Sequence, residues 1–344
     1  MAEDRGVLAA NVAIDRVVLA QSTGVIIVAD GALRTERQAP VVAGRDAVLR
    51  VWLDGSDAEA RSVQVAATVV DVDDVTWETR EEVLVEGPSA EVDLLLPASA
   101  MQPGAALAVA VLESDDVERD GDVTSSRMPQ GEGVFVDLDA RVVPPLRVVL
   151  VPLTLDGVGP TFSDDDVAYY QNALLGWFPT SEVHIELHSE PLSRDSALLS
   201  VDDVADEVFL LGQRRLQDEA DDDVVYFGMY DAFVSLGLAG ASDFSPELRA
   251  AVGPAGVNRS SAKVMAHEIG HLMGALHAPS CAAGFADPNF PDDDGTVGVE
   301  TLDPLSGEWR PPDVADVMGY CSDGATSPYT AARMMRGLTW WGAP

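Results

Sequence analysis

The chain has 344 residues, 47% of them hydrophobic and 6% aromatic, a composition ordinary for a globular protein and a length comfortable for two cores. Its 58 acidic residues against 21 basic ones give a formal net charge of -37. A field of that sign repels phosphate backbones and anionic lipid surfaces, which argues against nucleic acid and membrane partners and for a solvated, salt-tolerant exterior.

No run of about 18 apolar residues occurs, so no transmembrane helix is expected. The N-terminal stretch "MAEDRGVLAANV" lacks the basic-then-apolar layout of a signal peptide. Either the protein stays inside the cell or an export signal once preceded this sequence. The acidic clusters "SDDDV" (163–167), "EADDDVV" (219–225) and "PDDDG" (291–295) are possible Ca2+ sites. None has the full alternation of a calcium loop, and each reads as a solvated turn.

In chain order, residues 1–145 read as β structure. Short apolar stretches ("GVIIVADG", "AVLRVWLDG", "SVQVAATVVD", "EVDLLLP", "ALAVAVLES", "GVFVDLD") recur between turn signals. Within one of them Leu49, Val51 and Leu53 fall on one face and Arg50 and Trp52 on the other, as in a half-buried strand. The expectation is an N-terminal all-β, sandwich-like accessory domain that ends at the prolines of "VVPPL" (142–146).

Strands and helices then alternate, predicting an α/β (α+β) domain over 146–344. "LRVVLVPL" (146–153), "VHIEL" (183–187) and "VVYFGMY" (224–230) are buried strands. "SDDDVAYYQNALLGWF" (163–178) is a helix with Ser163 as N-cap and Asp166 completing a capping box. "VDDVADEVFLLGQRRLQDE" (201–219) is a second helix, with Val204, Val208, Leu211 and Leu216 toward the core. A short last helix is expected near 328–338.

The histidines carry the chemistry. Only five occur, and three fall in "AKVMAHEIGHLMGALHAPSC" (262–281). On a helix capped by Ser260 or Ser261, His267 and His271 lie one turn apart on one face, close enough to bind one ion. Glu268 projects roughly 100° round from His267 and borders that ion. Gly274 permits the left-handed backbone that ends a helix, which lets His277 swing back as a third nitrogen ligand. Three nitrogens with an open fourth position describe a catalytic rather than a structural Zn2+ site. The full string arises by chance in on the order of one chain in 10⁵. His184 and His188, in or beside a strand, read as packing or surface residues.

"HEIGHLMGALH" resembles the signature of the metzincin zinc endopeptidases, and "DVMGYCSDG" (316–324) resembles their methionine turn, with Met318 beneath the metal. Within that family "HAPSC", "ADPNF", "DVMGYC" and "SPYT" are most similar to secreted bacterial members related to mucin-directed metalloproteases. The likeness covers roughly 146–344 and says nothing about the β region. It implies a mixed twisted sheet with an active-site helix, an upper subdomain at about 146–277 and a lower one at about 278–344. It also implies one Zn2+ on His267, His271 and His277, Glu268 as general base, and Tyr320 as a hydrogen-bond donor to the developing oxyanion. Substrate is expected as an added antiparallel strand on a sheet edge, with "DAFVSLGLAGA" (231–241) as the candidate.

Cys281 and Cys321 lie just beyond His277 and Met318. A bridge between them would close a loop of about 40 residues, worth roughly 4 kcal/mol on the chain-entropy model, and would imply a secreted or extracytoplasmic destination. A zinc-binding thiolate and free buried thiols are the alternatives. The expected activity is endopeptidase cleavage of protein or glycoprotein substrates by a monomer. A non-catalytic glycan- or protein-binding module, and a zinc hydrolase of a non-peptide substrate, are the competing readings.

Overall fold

The computed structural model describes residues 6–194, 201–231, 240–243, 247–303 and 305–342. The chain divides into two compact units, Met1–Val142 and Val143–Pro344, three residues earlier than the break expected at 145.

In the first unit β1 (Ala13–Ala20), β2 (Gly24–Ala29), β3 (Ala32–Leu33), β4 (Val41–Val42), β5 (Ala47–Gly55), β6 (Arg61–Val70), β7 (Thr76–Val85), β8 (Gly87–Leu96), β9 (Ala106–Glu113), β10 (Arg127–Met128), β11 (Val136–Asp137) and β12 (Ala140–Arg141) follow one another. They build one five-stranded sheet in the order β3-β2-β1-β5-β8 and another around β10-β9-β6-β7, with β11 also on β9. Both are antiparallel. On β5 the expected alternation holds: Leu49, Val51 and Leu53 are buried, while Arg50 and Trp52 are half-buried. Arg50 reaches across to its register partner Asp93 on β8 at 2.7 Å, an opposite-charge pair of the kind that favours this register. Of "GVFVDLD" only the two residues of β11 pair as strand.

The second unit is α+β. Its sheet runs β14 (Val183–Leu187), β13 (Leu146–Leu155), β16 (Val224–Tyr230), β18 (Ala250–Pro254) and β17 (Ala241–Ser242), with β15 (Leu192–Arg194) also on β13. All these pairings are parallel except β17 on β18, so the sheet is mixed with a short antiparallel strand at its edge. Central β16 is buried at all seven positions, as a strand covered on both faces must be.

Helix α1 (Asp164–Trp177) has the expected capping box, Ser163 and Asp166 each satisfying the other's backbone N–H. Helix α2 (Val201–Gln217) buries Val204, Val208 and Leu211 against Val151, Tyr226 and Val252. Leu216, expected on that face, is exposed instead. Its neighbour Arg215 is sunk, donating to the carbonyls of Val224, Glu247 and Asp221. Three carbonyls from beyond the helix converge there, and they reward a planar multi-donor side chain more than a second leucine.

Helix α3 (Arg259–Leu272) packs on β18 and α1. Beyond it the described residues are irregular except for a hairpin, β19 (Thr301–Leu302) with β20 (Trp309–Arg310), and helix α4 (Pro328–Trp341). Arg259 and Arg310 both pair with Asp303 and Asp323, a closed ring of four charges that fastens the hairpin to the start of α3. Residues 232–239 lie outside the described residues, so of the edge segment expected at 231–241 only its ends are described.

Candidate metal centre

The cap of α3 is Asn258, whose side chain accepts from the N–H of Ser261; the serines expected as caps lie inside the first turn. Once begun, the helix is buried almost all round from Ser261 to His271. It ends as Gly274 predicts. Gly274 has φ +85, its N–H donates to His271 O, and Ala275 N–H donates to Gly270 O, the paired bonds of a Schellman turn. That turn brings Ala275 O within 2.8 Å of His271 Nδ1 and sends the chain back toward the helix.

Each of the three imidazoles donates from Nδ1 to a backbone carbonyl. His267 bonds Val317 O at 3.0 Å, His271 bonds Ala275 O, and His277 bonds Gly284 O at 2.5 Å. A carbonyl can only accept, so the proton sits on Nδ1 and every Nε2 is a bare lone pair. Those three Nε2 atoms face one another: His271 lies 3.1 Å from His267 and 3.0 Å from His277. Nitrogens about 2.0–2.1 Å from a tetrahedral ion sit roughly 3.3 Å apart, so those two separations are only a few tenths of an ångström tighter. With no hydrogen between them the lone pairs repel, and a cation relieves the repulsion. The donor set therefore fits a divalent metal, and among the described residues it is the one such cluster.

The rings are held neutral by their surroundings. Burial, with the neighbouring His271, pushes the His267 imidazole down to about 3, and burial with His277 pushes His271 down to about 4. Glu268 is 7% exposed, and burial pushes its carboxyl up to about 7 against a 2.9 Å hydrogen bond from Ser242 Oγ to Oε2. Gly240 approaches the same carboxyl so closely that a Cβ would lie 2.9 Å from Oε1.

Below the site Met318 is fully buried, its Sδ against Gly270 of α3. Tyr320 is half exposed at 53%, its ring 4.9 Å from that of His277 and 6.1 Å from that of His267. Burial and then Glu268 raise its phenol above the ordinary value. Cys281 and Cys321 are joined in a disulfide, so the thiolate and free-thiol alternatives fall away.

The fold thus gathers His267, Glu268, His271, Gly274, His277, Met318, Tyr320 and the disulfide in one region. His184 bonds Glu182, and His188 bonds Asp218 just past the end of α2; neither joins the cluster. Sequence reasoning missed Ser242, Lys263, and the set formed by Asp287, Tyr329 and Arg333. Tyr329 Oη donates to Asp287 Oδ2 at 2.8 Å, and Arg333 bridges that carboxylate and the carbonyl of Gly274. These contacts span between about 26 and 59 residues, beyond the reach of any local spacing rule.

No family model matches the chain, and no curated protein does. Solved structures that align with it include a glycosyl hydrolase family 2 member from Bacteroides cellulosilyticus (12% identity, 56% of this chain and 30% of that one, TM-score 0.21). Others are beta-glucuronidases from Bacteroides uniformis (8%, 65% and 29%, TM-score 0.22) and Parabacteroides merdae (12%, 75% and 32%, TM-score 0.19). The chain spans about a third of their length, and TM-scores this low define neither a shared fold nor a shared chemistry.

Proposed function

We propose that the chain is a zinc-dependent endopeptidase of metzincin type, acting on proteins or glycoproteins. The observation that carries this reading is the convergence of three Nε2 lone pairs whose Nδ1 protons are all committed to carbonyls, with a buried carboxylate on the same helix.

A zinc ion held there by His267, His271 and His277 supplies Lewis acidity, which acidifies water toward neutrality and polarises a carbonyl oxygen. The chain's own groups do the rest. Val317, Ala275 and Gly284 fix each ring's tautomer and aim, so the ligands do not have to reorganise. Ser242 holds Glu268 Oε2, leaving Oε1 to take a proton from the attacking water and return it to the departing amine. Its raised proton affinity suits a base working near neutral pH. The Tyr320 phenol, beside His277, donates to the oxyanion as it forms.

The test is zinc content by elemental analysis together with cleavage of casein or a densely glycosylated protein, Glu268→Ala serving as control. The expected result is about one zinc per chain, cleavage by the wild type, and metal without cleavage in the variant. A wild type that binds zinc yet spares every polypeptide would favour a non-peptide hydrolase or a binding module.

A further inference from the structure

The 344 residues contain one lysine against twenty arginines, and that lysine, Lys263, is buried in the helix of the metal site. It lies one turn before His267. Its Nζ donates to Gly319 O at 2.8 Å, while His267 Nδ1 donates to Val317 O. Two residues one turn apart on α3 therefore grip alternate carbonyls of the methionine turn. The same peptide plane is held from its other side, where Tyr320 N–H donates to Ser280 O at 3.3 Å. Gly319 has no room for a side chain, since a Cβ there would fall 1.7 Å from Ser280 Oγ. The plane that launches Tyr320 is thus pinned at both polar ends and closed in from the side.

The choice of lysine follows from the space. A guanidinium carries five N–H donors in a rigid fork, and in this confined place one carbonyl would leave most of them unsatisfied. The Lys263 stem already passes within 3.1 Å of where a Cβ on Gly324 would be. An ammonium at the end of a slender stem reaches a single carbonyl without that cost. Buried Asp316 and half-exposed Asp323 are the carboxylates that face its charge.

We propose that Lys263 is a positioning residue: through the Gly319–Tyr320 peptide it sets where the Tyr320 phenol stands over the metal site. The proposal rests on the zinc peptidase reading for its kinetic test, but not for its structural ones. Lys263→Met keeps the stem and removes the donor.

Expected is retention of metal, a fall in kcat of about tenfold, and KM unchanged within about twofold, the pattern of a lost transition-state contact. Tyr320→Phe should fall as far, and the double variant no further, because both changes remove the same hydrogen bond. Additive losses, or an unaltered kcat in Lys263→Met, would overturn the proposal. The visible spectrum of the cobalt-substituted protein should also differ between wild type and Lys263→Met, since the turn that aims His267 has lost one of the two side-chain hydrogen bonds from α3 to its carbonyls. Identical spectra would overturn it as well.

If Lys263→Met does not fold, wild-type protein still decides. Lys263 is the only ε-amine in the sequence, so acylation by an N-hydroxysuccinimide ester, read by peptide mapping, reports on it alone. Stripping the metal frees His267 to release Val317, and Lys263 should then acylate about tenfold faster or more, as linkage between the two grips requires. Equal rates with and without metal would count against the coupling. A wild type that holds zinc but cleaves nothing removes the peptidase reading, while the spectral and acylation results still settle the role of Lys263.

Discussion

The Nδ1–H of His267 donates to the carbonyl of Val317 at 3.0 Å, across fifty residues of sequence. A candidate metal ligand on a helix is thereby tied to the backbone of a distant turn, so an ion held there, the helix and the turn would hold one another in place. Chelation should unsettle all three. An ion present at 1,000 times its Kd stabilises by about 4 kcal/mol, which for a unit of this size corresponds to a melting shift of roughly 10 °C. Calorimetry with and without a chelator reads that shift, and zinc should reverse it. A melting curve indifferent to complete metal removal would mean the three imidazoles hold nothing that matters to folding.

Glu268 makes stability depend on pH with a definite sign. Its carboxyl is raised from 4.5 to about 7 by burial. Between those values the metal-free folded protein holds a proton that the unfolded chain has released. The contribution is therefore whole below about 4.5 and lost as pH rises through about 7, to the extent of ~3 kcal/mol. The difference in unfolding free energy between metal-free wild type and Glu268→Gln isolates this term from the chain's other carboxylates. The gap should open in favour of Glu268→Gln as pH climbs from 5 to 8. A bound cation beside the carboxylate lowers its proton affinity, so the acid limb of activity in the zinc form should fall below 7.

Much of this site is legible in the sequence because its key relations are local. The i, i+4 spacing of His267 and His271 and the left-handed turn at Gly274 are properties of a few consecutive residues. With only two cysteines, Cys281 has a single intrachain partner to find. What escapes is what local pattern does not encode. Strand β7, "TWETREEVLV", escapes the apolar pattern because it ends its row of strands and is mostly solvated, so it carries charges where a core strand carries valine. At the start of α3 the cap, Asn258, competes in the sequence with two nearby serines of equal intrinsic merit. Arg215 and Lys263 are buried because distant carbonyls need donors, and Ser242 and Arg333 matter because the fold brings them to the site. Nothing in their immediate neighbours says so.

Gly270 sits in the interior of α3, where alanine would ordinarily add about 1 kcal/mol of helix stability. Here a Cβ would lie 2.7 Å from Met318 Sδ and 2.9 Å from Met334 Cε. Both are ends of flexible thioethers, so they can yield, but the turn that carries Met318 would move with them. Gly270→Ala should therefore destabilise by about 1–3 kcal/mol despite its better propensity. Met318→Ala in the same background should recover part of that loss, giving a favourable coupling in a double-mutant cycle measured by denaturant unfolding. A stabilising Gly270→Ala would show that helix and turn are not in firm contact.

Arg333 offers the sharpest separation between holding a metal and using it. Its guanidinium bridges Gly274 O, where the segment bearing His277 leaves α3, and Asp287 Oδ2, where that segment ends. Asp287 N–H in turn donates to His277 O at 2.8 Å, and Tyr329 donates to the same carboxylate oxygen as Arg333. Helix α4 thus clamps both ends of the loop that carries the proposed third ligand, His277. Arg333→Met should weaken zinc binding by about tenfold or more, as loss of a supporting contact behind a ligand does. At saturating zinc, kcat should stay within about twofold of wild type. Competition with a chromogenic chelator measures the first quantity and steady-state kinetics the second. Asp287→Asn should weaken binding in the same way, and the pair together little more than either alone, because one clamp is lost once. If zinc affinity is unmoved while kcat collapses, Arg333 acts on substrate and the clamp is not its role.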